Sequence, residues 1–144
     1  MRKVGDVLSR KGVSAIAVPP ETSVLDALQI MADKNIGSVL VMSGGEYLGI
    51  ITERDYSRKV ILKGKSSQET RVSDIMSNDL PSVTPTDTIE HCMQLMTEKN
   101  IRYLPVFKNN QLEGIISMSD VVKETILAQQ ETISHLKEYI HSGI

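Results

Sequence analysis

Apolar residues recur at helical spacing in two stretches of the chain, 24–31 and 89–96. Side chains at positions i, i+3, i+4 and i+7 share one face of an α-helix, so both stretches are predicted to be amphipathic helices. Each is preceded by a pair of polar residues that resembles a capping box, which satisfies free N–H groups of a first helical turn. These pairs are Ser23 with Asp26, and Asp87 with Glu90.

Two short runs rich in β-branched residues, 36–42 and 47–51, follow the first helix. Gly44-Gly45 lies between them, and Asn109-Asn110 holds the same turn position in the second half of the chain. Both pairs tolerate the positive φ of a tight hairpin. Helical spacing returns after the second run in both halves. Each half is therefore predicted to form helix, strand, strand and helix in that order.

The two halves are copies of one unit. Residues 18–55 align with residues 83–120 at a constant offset of 65 without a gap, and 12 of the 38 aligned pairs are identical. A further match, at an offset of 68, pairs residues 4–9 with 72–77, so each copy begins well upstream. An internal repeat of this kind determines the architecture. We expect a first repeat with an N-terminal segment and a linker at 1–71, a second repeat at 72–130, and a C-terminal helical extension at 131–144.

A small sheet with helices on one side leaves apolar surface that one repeat cannot bury alone. The predicted fold class is therefore α+β, with small sheets and helices in two tandem units that pack about a pseudo-two-fold axis and form two related clefts. An amphipathic stripe continues into the C-terminal segment, beyond what the last helix of the repeat requires. Its apolar residues are Ile126, Ile133, Leu136 and Ile140. We expect this stripe to pack on a partner chain, as in a homodimer.

Composition is that of an ordinary globular protein, with 40% hydrophobic and 24% charged residues. Sixteen Lys and Arg against 18 Asp and Glu give a net charge of −2, which argues against nucleic acid as a partner. Cys92 is the single cysteine, so a reducing compartment is expected. Residues 1–18 lack the apolar stretch of a signal peptide, and no run approaches the roughly 18 apolar residues of a membrane span. We predict a cytoplasmic protein with no membrane partner.

The residues of chemical interest lie where the second strand of each repeat ends. Segments 49–55 and 114–120 share Gly-Ile-Ile, then a hydroxyl residue and, three positions later, an aspartate. One interpretation is a capping box that only starts the next helix. The other is a ligand site, because a helix N-terminus with a hydroxyl attracts phosphate and an aspartate accepts hydrogen bonds from ribose hydroxyls. Recurrence at the same strand end favours the second interpretation, a site for a nucleotide monophosphate unit.

This signature resembles that of paired CBS domains: Gly, two apolar residues, Thr or Ser, two variable residues, then Asp. Both copies carry it intact, Asp-Ile-Met-Ser at 74–77 is also similar, and the resemblance covers nearly the whole chain. It implies binding of adenosyl ligands (AMP, ADP, ATP, NAD(H) or S-adenosylmethionine) in clefts between the repeats, and pairing into flat dimers. By position, it implies nucleotide-binding roles for Thr52, Asp55, Ser117, Ser119 and Asp120.

Basic residues surround the first motif. The run comprises Arg54, Arg58, Lys59, Lys63 and Lys65. It is either a solvated helix face or a site for a second phosphate, for which Arg54, Arg58 and Lys59 are the candidates. Because segment 52–60 resembles the corresponding string of free-standing modules associated with NAD or AMP, NAD(H) or AMP is expected rather than S-adenosylmethionine, with ATP and ADP as alternatives.

The second repeat differs from the first within the run predicted to form its first hairpin strand. Arg102, Tyr103 and Pro105 replace Gly37, Ser38 and Leu40. A proline cannot donate to a strand ladder, so Pro105 is expected at an edge or where pairing stops. Family position implies that Arg102 and Tyr103 contact phosphate and ribose or adenine. Ordinary surface placement is the alternative for this group.

Motifs of nucleotide-processing enzymes are missing from the sequence. Gly64-Lys65-Ser66 lacks the earlier glycine of a phosphate-binding loop, and the glycines near residue 45 do not form G-x-G-x-x-G. His91, His135 and His141 lack metal-ligand spacing. We expect no enzyme activity, no catalytic cofactor and no metal.

Three hypotheses remain from the sequence. The leading one is a non-catalytic regulatory sensor of an adenine nucleotide, which signals to an effector protein through ligand-dependent repacking of the repeats or of the dimer. The second is a purely structural dimerisation module whose Thr/Ser-x-x-Asp motifs only cap helices. The third, a nucleic-acid binder, is motivated by the basic run alone and opposed by the acidic total charge.

Overall fold

The structure, a computed structural model, describes residues 2–11 and 15–142. These residues fall into two compact units, and the predicted class of helices with small sheets is confirmed. In chain order the elements are α1 (Val4–Lys11), β1 (Ala17–Val18), α2 (Val24–Lys34), β2 (Ser38–Ser43), β3 (Glu46–Thr52), α3 (Glu53–Lys59), a 3-10 turn (Ile61–Lys63), α4 (Val72–Ile75), α5 (Ile89–Lys99), β4 (Tyr103–Lys108), β5 (Gln111–Ser117) and α6 (Met118–Ser142).

The first unit spans Ala15–Leu80. Its sheet has the order β1-β2-β3, with β1 parallel to β2 and β2 antiparallel to β3. The Ser23 side chain accepts a hydrogen bond from Asp26 N at the start of α2, as predicted. Helices and sheet enclose a core of small and branched apolar side chains: Val18, Val24, Ala27, Met31, Val39, Val41, Ile51, Val60, Val72 and Ile75.

The second unit combines the start of the chain with its second half, residues 2–11 and 81–142 as described. β4 and β5 form an antiparallel hairpin, and Val83 adds a single parallel bridge to Val106. Its core is of the same kind and consists of Val4, Val7, Val83, Ile89, Cys92, Met96, Leu104, Val106, Ile116 and Val121.

Backbone detail confirms the duplication. Asn35 and Asn100 end their helices in the same left-handed conformation, each with φ of 54°. The predicted hairpin turns, Gly44-Gly45 and Asn109-Asn110, all have positive φ. Both hairpins also shift register at one equivalent point, between Val41 and Met42 in the first and between Val106 and Phe107 in the second. The two copies therefore share irregularities as well as regular elements.

Pro105 explains the main difference between the two sheets. In the first unit, Leu40 N donates to Ile16 O, which holds β1 against β2. Pro105 occupies the position equivalent to Leu40 and has no N–H to donate. Segment 81–83 therefore makes only the bridge at Val83, through Val83 N to Pro105 O and Phe107 N to Val83 O. Pro105 lies where pairing stops, as the sequence indicated.

The short helix that precedes each repeat belongs to the other repeat's unit. Ser77, two residues after the end of α4, exchanges backbone hydrogen bonds of 2.8 and 2.9 Å with Ile50 of β3. Correspondingly, α1 joins the second unit, where Gly5 N donates to Pro85 O at 2.9 Å. The compact units thus differ from the sequential division at residues 71 and 72. Matched segments 4–9 and 72–77 complete the core of the repeat that they do not precede.

The last helix and the cap of α5 refine two sequence-based expectations. As far as residue 142, where the described residues end, the predicted extension at 131–144 is continuous with the last helix of the repeat, and both form α6 of 25 residues. Asp87 was expected to cap α5, but Thr88 is the N-cap and accepts from His91 N, while Asp87 accepts from Thr84 N at 2.7 Å. The reason is register, because Thr88 is equivalent to the cap residue Ser23. None of the helices in the described residues combines the length and apolar character that a bilayer span requires.

Candidate functional site

The first motif closes the start of α3. Thr52 is the N-cap, and its hydroxyl oxygen accepts a hydrogen bond of 3.1 Å from Asp55 N. In return, Asp55 Oδ2 accepts from Thr52 N and from the Thr52 hydroxyl, both at 3.0 Å. The motif therefore forms a complete capping box that satisfies free donors at the helix start. This geometry is the one that the capping interpretation predicts, and it is also compatible with a ligand site.

The second oxygen of Asp55 is bound from two further directions. Oδ1 accepts from the Ser77 hydroxyl and from Lys59 Nζ, each at 2.9 Å. Lys59 also donates to Ile75 O at 2.9 Å, so its ammonium serves contacts within the unit. The Asp55 side chain is 8% exposed. Asp55 is thus a buried carboxylate with partners on both oxygens.

The second motif repeats the box in a more open setting. Asp120 Oδ2 accepts from Ser117 N at 2.8 Å, and Asp120 N donates to the Ser117 hydroxyl oxygen at 3.1 Å. Lys11, at the end of α1, donates to the same Oδ2 at 2.7 Å and to Ile115 O at 3.0 Å. The Asp120 side chain is 16% exposed, twice the fraction of Asp55.

The charge of Asp120 is stabilised by this setting. Burial alone would raise the pKa of Asp120, but the hydrogen bonds from Lys11 and Ser117 and the positive charge of Lys11 outweigh it and lower the pKa. A carboxylate held in its charged form is a strong acceptor for hydroxyl donors such as those of a ribose.

A cavity of about 280 Å³ opens beside Asp120. It is also lined by Val7, Arg10 and Lys11 from α1 and by Lys123, Glu124 and Leu127 from α6. Three cations and two carboxylates therefore surround this space, and the local excess of positive charge favours an anionic group.

Residues predicted from the second repeat gather at the start of α6. Met118 N donates to Arg102 O at 2.8 Å, and Tyr103 is the cross-strand partner of Ser117. Pro105 stands opposite Ile115, two positions further along the hairpin. Arg102 is exposed, Tyr103 is half-buried and Pro105 is buried. The structure thus places these three residues at the same end of the hairpin as Ser117. Ser119 is exposed in the first turn of α6, next to Asp120.

The basic residues predicted at the first motif divide into two groups. Lys59 forms an ion pair with Asp55, as described above. Arg54 is half-buried in the first turn of α3, and Arg58 is exposed in its last turn. The structure therefore brings Thr52, Asp55 and Lys59 into one network and leaves Arg58 at the surface.

Sequence reasoning missed three residues of these networks: Ser77, Lys11 and Glu124. Ser77 was visible as part of the repeated segment, but its contact with Asp55 was not. Glu124 is buried, accepts from Arg2 Nη1 at 2.7 Å and forms a close ion pair with Arg10. No local pattern signals these pairs, since more than a hundred residues separate Lys11 from Asp120 and Arg10 from Glu124.

Within the described ranges, no group of three or more His, Cys, Asp or Glu side chains is placed to hold a metal ion. Cys92 is buried in the core of the second unit, where burial, with a smaller contribution from the charge of Asp87, raises the pKa of its thiol to about 11. At neutral pH this thiol is protonated and acts as a small apolar group.

Comparison with known proteins identifies the repeated unit. The CBS domain family model matches residues 4–61 and 72–126. The chain belongs to the CBS-domain family. The resemblance that the motifs indicated is thereby confirmed, and CBS domain pairs are typically regulatory.

Relatives match over most of their length. The mitochondrial CBS domain-containing protein CBSX3 of Arabidopsis thaliana is 40% identical, over 97% of this chain and 72% of that protein. A solved structure of a protein with CBS domains from Burkholderia ambifaria is 42% identical with a TM-score of 0.84, over 88% of this chain and 96% of that chain. A CBS-domain containing protein from Agrobacterium tumefaciens is 36% identical with a TM-score of 0.80, over 85% and 98%.

Proposed function

We propose that this chain is a non-catalytic regulatory module that binds an adenine nucleotide, with NAD(H) or AMP as the favoured ligand and ATP or ADP as alternatives. The observation that carries the proposal is the duplicated motif: both copies of a CBS pair place a hydroxyl and an aspartate at the same strand-to-helix junction, with the same reciprocal hydrogen bonds.

The second motif is the better candidate for an occupied site. All hydrogen bonds to the Asp120 side chain from the described residues fall on Oδ2, so Oδ1 is the oxygen proposed to accept from ribose hydroxyls. The start of α6 and the Ser117 hydroxyl supply donors for a phosphate, together with the cations beside the cavity. Arg102, Tyr103, Pro105 and Ser119 complete this proposed set.

The first motif requires a rearrangement to bind in the same way. Asp55 already has partners on both oxygens, so a ribose has to displace Ser77 or Lys59 or share the carboxylate with them. Either event alters contacts with α4, because Ser77 follows that helix and Lys59 donates to Ile75 O. We propose that this coupling is how ligand binding at Thr52, Arg54, Asp55, Arg58 and Lys59 repacks the module for an effector protein.

A distant relative supports the ligand class. The CBS domain pair of protein MJ0100 was solved in complex with 5′-methylthioadenosine and S-adenosyl-L-methionine, and it matches this chain with a TM-score of 0.73 at 21% identity. Both of those ligands contain adenosine, the group proposed here. The basic residues near each motif favour a phosphate-bearing ligand over a cationic sulfonium in this chain.

We propose a homodimer, and a CBS-CP12 protein from bloom-forming cyanobacteria, 28% identical, is described as hexameric. We also propose a cytoplasmic location, supported by the single buried cysteine. The Arabidopsis relative carries a mitochondrial name.

A second function is favoured by one observation. Both motifs form complete capping boxes within this chain, and Asp55 is buried in its network. A purely structural dimerisation module needs nothing more from these residues.

Ligand-dependent thermal stability separates the two functions. Purified protein is melted with AMP, ADP, ATP, NAD, NADH and S-adenosylmethionine, with GMP as the base control. A ligand at a hundred times its Kd stabilises the native state by about 2.7 kcal/mol, which appears as a clear rise in Tm. Failure of every adenine ligand to raise Tm at millimolar concentration would support the structural module instead.

Asp120→Asn tests the site itself. The variant keeps an oxygen that accepts from Ser117 N, so the cap survives, but it loses the charge that binds ribose hydroxyls. We expect the ligand-induced shift in Tm to shrink, while the Tm without ligand falls by only a few degrees because the ion pair with Lys11 is lost. Asp74→Asn is the matched control, because Asp74 is an exposed aspartate that caps α4 through Arg71 N. Equal ligand shifts in both variants would show that Asp120 only caps its helix.

A further inference from the structure

A stripe of apolar side chains runs along α6 and is left largely exposed by the rest of the chain. Its members are Val122, Ile126, Ile133, Leu136 and Ile140, which are between 46% and 58% exposed. The flank of α6 that packs on the second unit is a different one, marked by the buried Val121 and Glu124. At about 100° per residue, the stripe lies more than a quarter turn away from that flank. The stripe is therefore not the core-facing side of the helix.

The spacing of the stripe is that of a coiled-coil seam. Positions 122, 126, 129, 133, 136 and 140 alternate steps of four and three residues, the a/d pattern of a heptad repeat. All three a positions are isoleucine: Ile126, Ile133 and Ile140. The d positions are Val122, Gln129 and Leu136. β-branched residues at a with leucine at d favour two parallel strands; the three isoleucines meet the first condition and Leu136 meets the second at one d position.

We propose that this stripe is the seam of a parallel, in-register, two-stranded coiled coil between α6 helices of two copies of the chain. The partner helix is α6 of the second copy in the homodimer proposed above. Formation of this coiled coil does not require a bound nucleotide. It specifies the surface, the orientation and the register of that dimer.

Gln129 favours a second copy in parallel orientation. In a parallel pair each d residue meets the same residue of the partner copy, so the two Gln129 amides face one another and can donate and accept. In an antiparallel pair centred on the same seam, Gln129 faces Ile133, and a buried amide is left without a partner. A lone polar residue in an apolar seam is a known device for fixing register.

Charged residues beside the seam favour the same orientation. The e positions hold Lys123, Gln130 and Lys137, and the g positions hold Thr125, Thr132 and Tyr139. A parallel pair sets e against g of the partner copy, so lysines meet uncharged side chains. An antiparallel pair sets e against e, which brings Lys123 close to Lys137 of the other copy. Like charges are avoided only in the parallel arrangement.

The acidic residues lie on the flank of α6 opposite the seam, and two of them anchor the helix to its own unit. Glu124, Glu131 and Glu138 all occupy f positions. Arg2 binds both Glu124 and Glu131, one heptad apart, from the start of the chain. The seam is only about 27 Å long at 1.5 Å per residue, shorter than isolated coiled coils need. Because α6 is already built on a folded unit, the pair does not have to nucleate its own helices.

Ile133→Lys tests the seam in the full chain. Ile133 is 52% exposed and belongs to no core cluster, so the variant is expected to fold with an unchanged circular-dichroism spectrum. Sedimentation equilibrium at micromolar concentrations should give a dimer for the parent and at least tenfold weaker association for the variant. Ser134→Lys is the matched control, because it adds the same charge one residue away at a b position outside the seam, and its dimer should persist.

Disulfide cross-linking tests orientation and register. Leu136→Cys places a thiol at a d position, where a parallel in-register pair brings the two copies of residue 136 together, so oxidation should give a covalent dimer. The parent, whose Cys92 is buried, and Ser134→Cys should remain uncross-linked. An equimolar mixture of Ile126→Cys and Leu136→Cys chains should form few mixed links, because an antiparallel pair is needed to join 126 to 136.

Each contrary result has its own meaning. A monomeric parent overturns both the seam and the homodimer. A dimer that resists Ile133→Lys overturns the seam and leaves the homodimer standing on another surface. Preferential 126-to-136 links overturn the parallel orientation, and a trimer or larger assembly that Ile133→Lys dissolves overturns the two-stranded form. Nucleotide-induced shifts in Tm, measured on Ile133→Lys, report the proposed function separately.

Discussion

Lys59 and Glu124 occupy the same position in the two repeats, four residues after the motif aspartate, and carry opposite charges. Lys59 pairs with Asp55 in its own helix. Glu124 cannot do this for Asp120, and it binds Arg2 and Arg10 instead. The cation for Asp120 comes from Lys11 in α1. One reversed charge therefore accounts for why the second motif depends on the start of the chain and the first does not.

Lys11→Met should destabilise the protein by about 1 kcal/mol at neutral pH, since it removes a partly exposed ion pair and a hydrogen bond to Ile115 O. Asp120 has a pKa below its usual value in the folded state, so its contribution to stability is present above the unfolded pKa of about 3.9 and is lost as pH falls through the folded pKa. The difference between parent and variant should therefore narrow in acid, down to the part that the hydrogen bond to Ile115 O contributes. Urea unfolding at pH 7 and near pH 3 measures it, with the exposed Lys108→Met as control; a gap as wide in acid as at pH 7 contradicts the ion pair.

Glu124→Gln should lower the free energy of unfolding by about 1–3 kcal/mol. The carboxylate is buried, with 3% of its side chain exposed, and it neutralises two guanidinium groups that are less buried than itself. In the variant one of the two carboxylate oxygens becomes an NH2 donor, so only one of the two arginines keeps its acceptor, and the negative charge is lost. Chemical unfolding of this variant beside Glu113→Gln, an exposed glutamate of β5, isolates the effect. Equal stabilities would mean that the two arginines do not stabilise the second unit through Glu124.

Asp55→Ala should cost more stability than Asp120→Ala. Removing Asp55 leaves Thr52, Ser77 and Lys59 without their shared acceptor in a buried place, at about 2–4 kcal/mol. Removing Asp120 takes away a cap and one partly exposed ion pair, at about 1–2 kcal/mol. Parallel urea titrations of the two variants give the order. The reverse order would show that the Asp55 network contributes less than its burial suggests.

Gly49→Ala and Gly114→Ala should differ although the glycines are equivalent in the repeat. A Cβ at Gly49 would lie 2.8 Å from Ser77 O, a backbone atom that cannot easily yield. A Cβ at Gly114 would lie 3.0 Å from a Leu8 methyl, which can turn away. We expect a loss of about 2 kcal/mol or more for the first and less than about 1 kcal/mol for the second. Melting curves of both variants, compared at equal concentration, decide this, and similar losses would contradict the close approach of Ser77.

The sequence predicted local structure well and long-range partners poorly. The hairpin turns at Gly44-Gly45 and Asn109-Asn110 follow from residue chemistry, and the capping boxes follow from a spacing of three. The cap at Thr88 could also have been predicted, because the offset of 65 maps the cap residue Ser23 onto Thr88. Asp87 was predicted instead because its spacing from Glu90 resembles a capping box. These features depend on a few neighbouring residues, so a linear pattern is enough to reveal them.

Partners such as Lys11 for Asp120 depend on topology instead. The offset of 68 revealed that segments 4–9 and 72–77 are copies, but no periodicity states which sheet each copy packs against. Helix α1 joins the second unit and α4 the first, so the residues that contact each motif aspartate come from a distant part of the chain. The role of the motifs as ligand sites stays a prediction that the binding experiments address.

The exchange of the two short helices also sets the order in which the protein can be completed during synthesis. Helix α1 is made before either repeat, yet β5 and α6, which complete its unit, are made after the first unit and most of the second, so α1 must wait for them. The first unit lacks Ser77 until synthesis has passed the nominal end of its own repeat. Contacts between residues that are far apart in sequence form slowly, because the intervening chain loses entropy before these contacts stabilise the fold. The first unit, a contiguous segment, can therefore mature as soon as Leu80 has been made, whereas the second unit reaches its native core only after β5 and the start of α6 have joined α1.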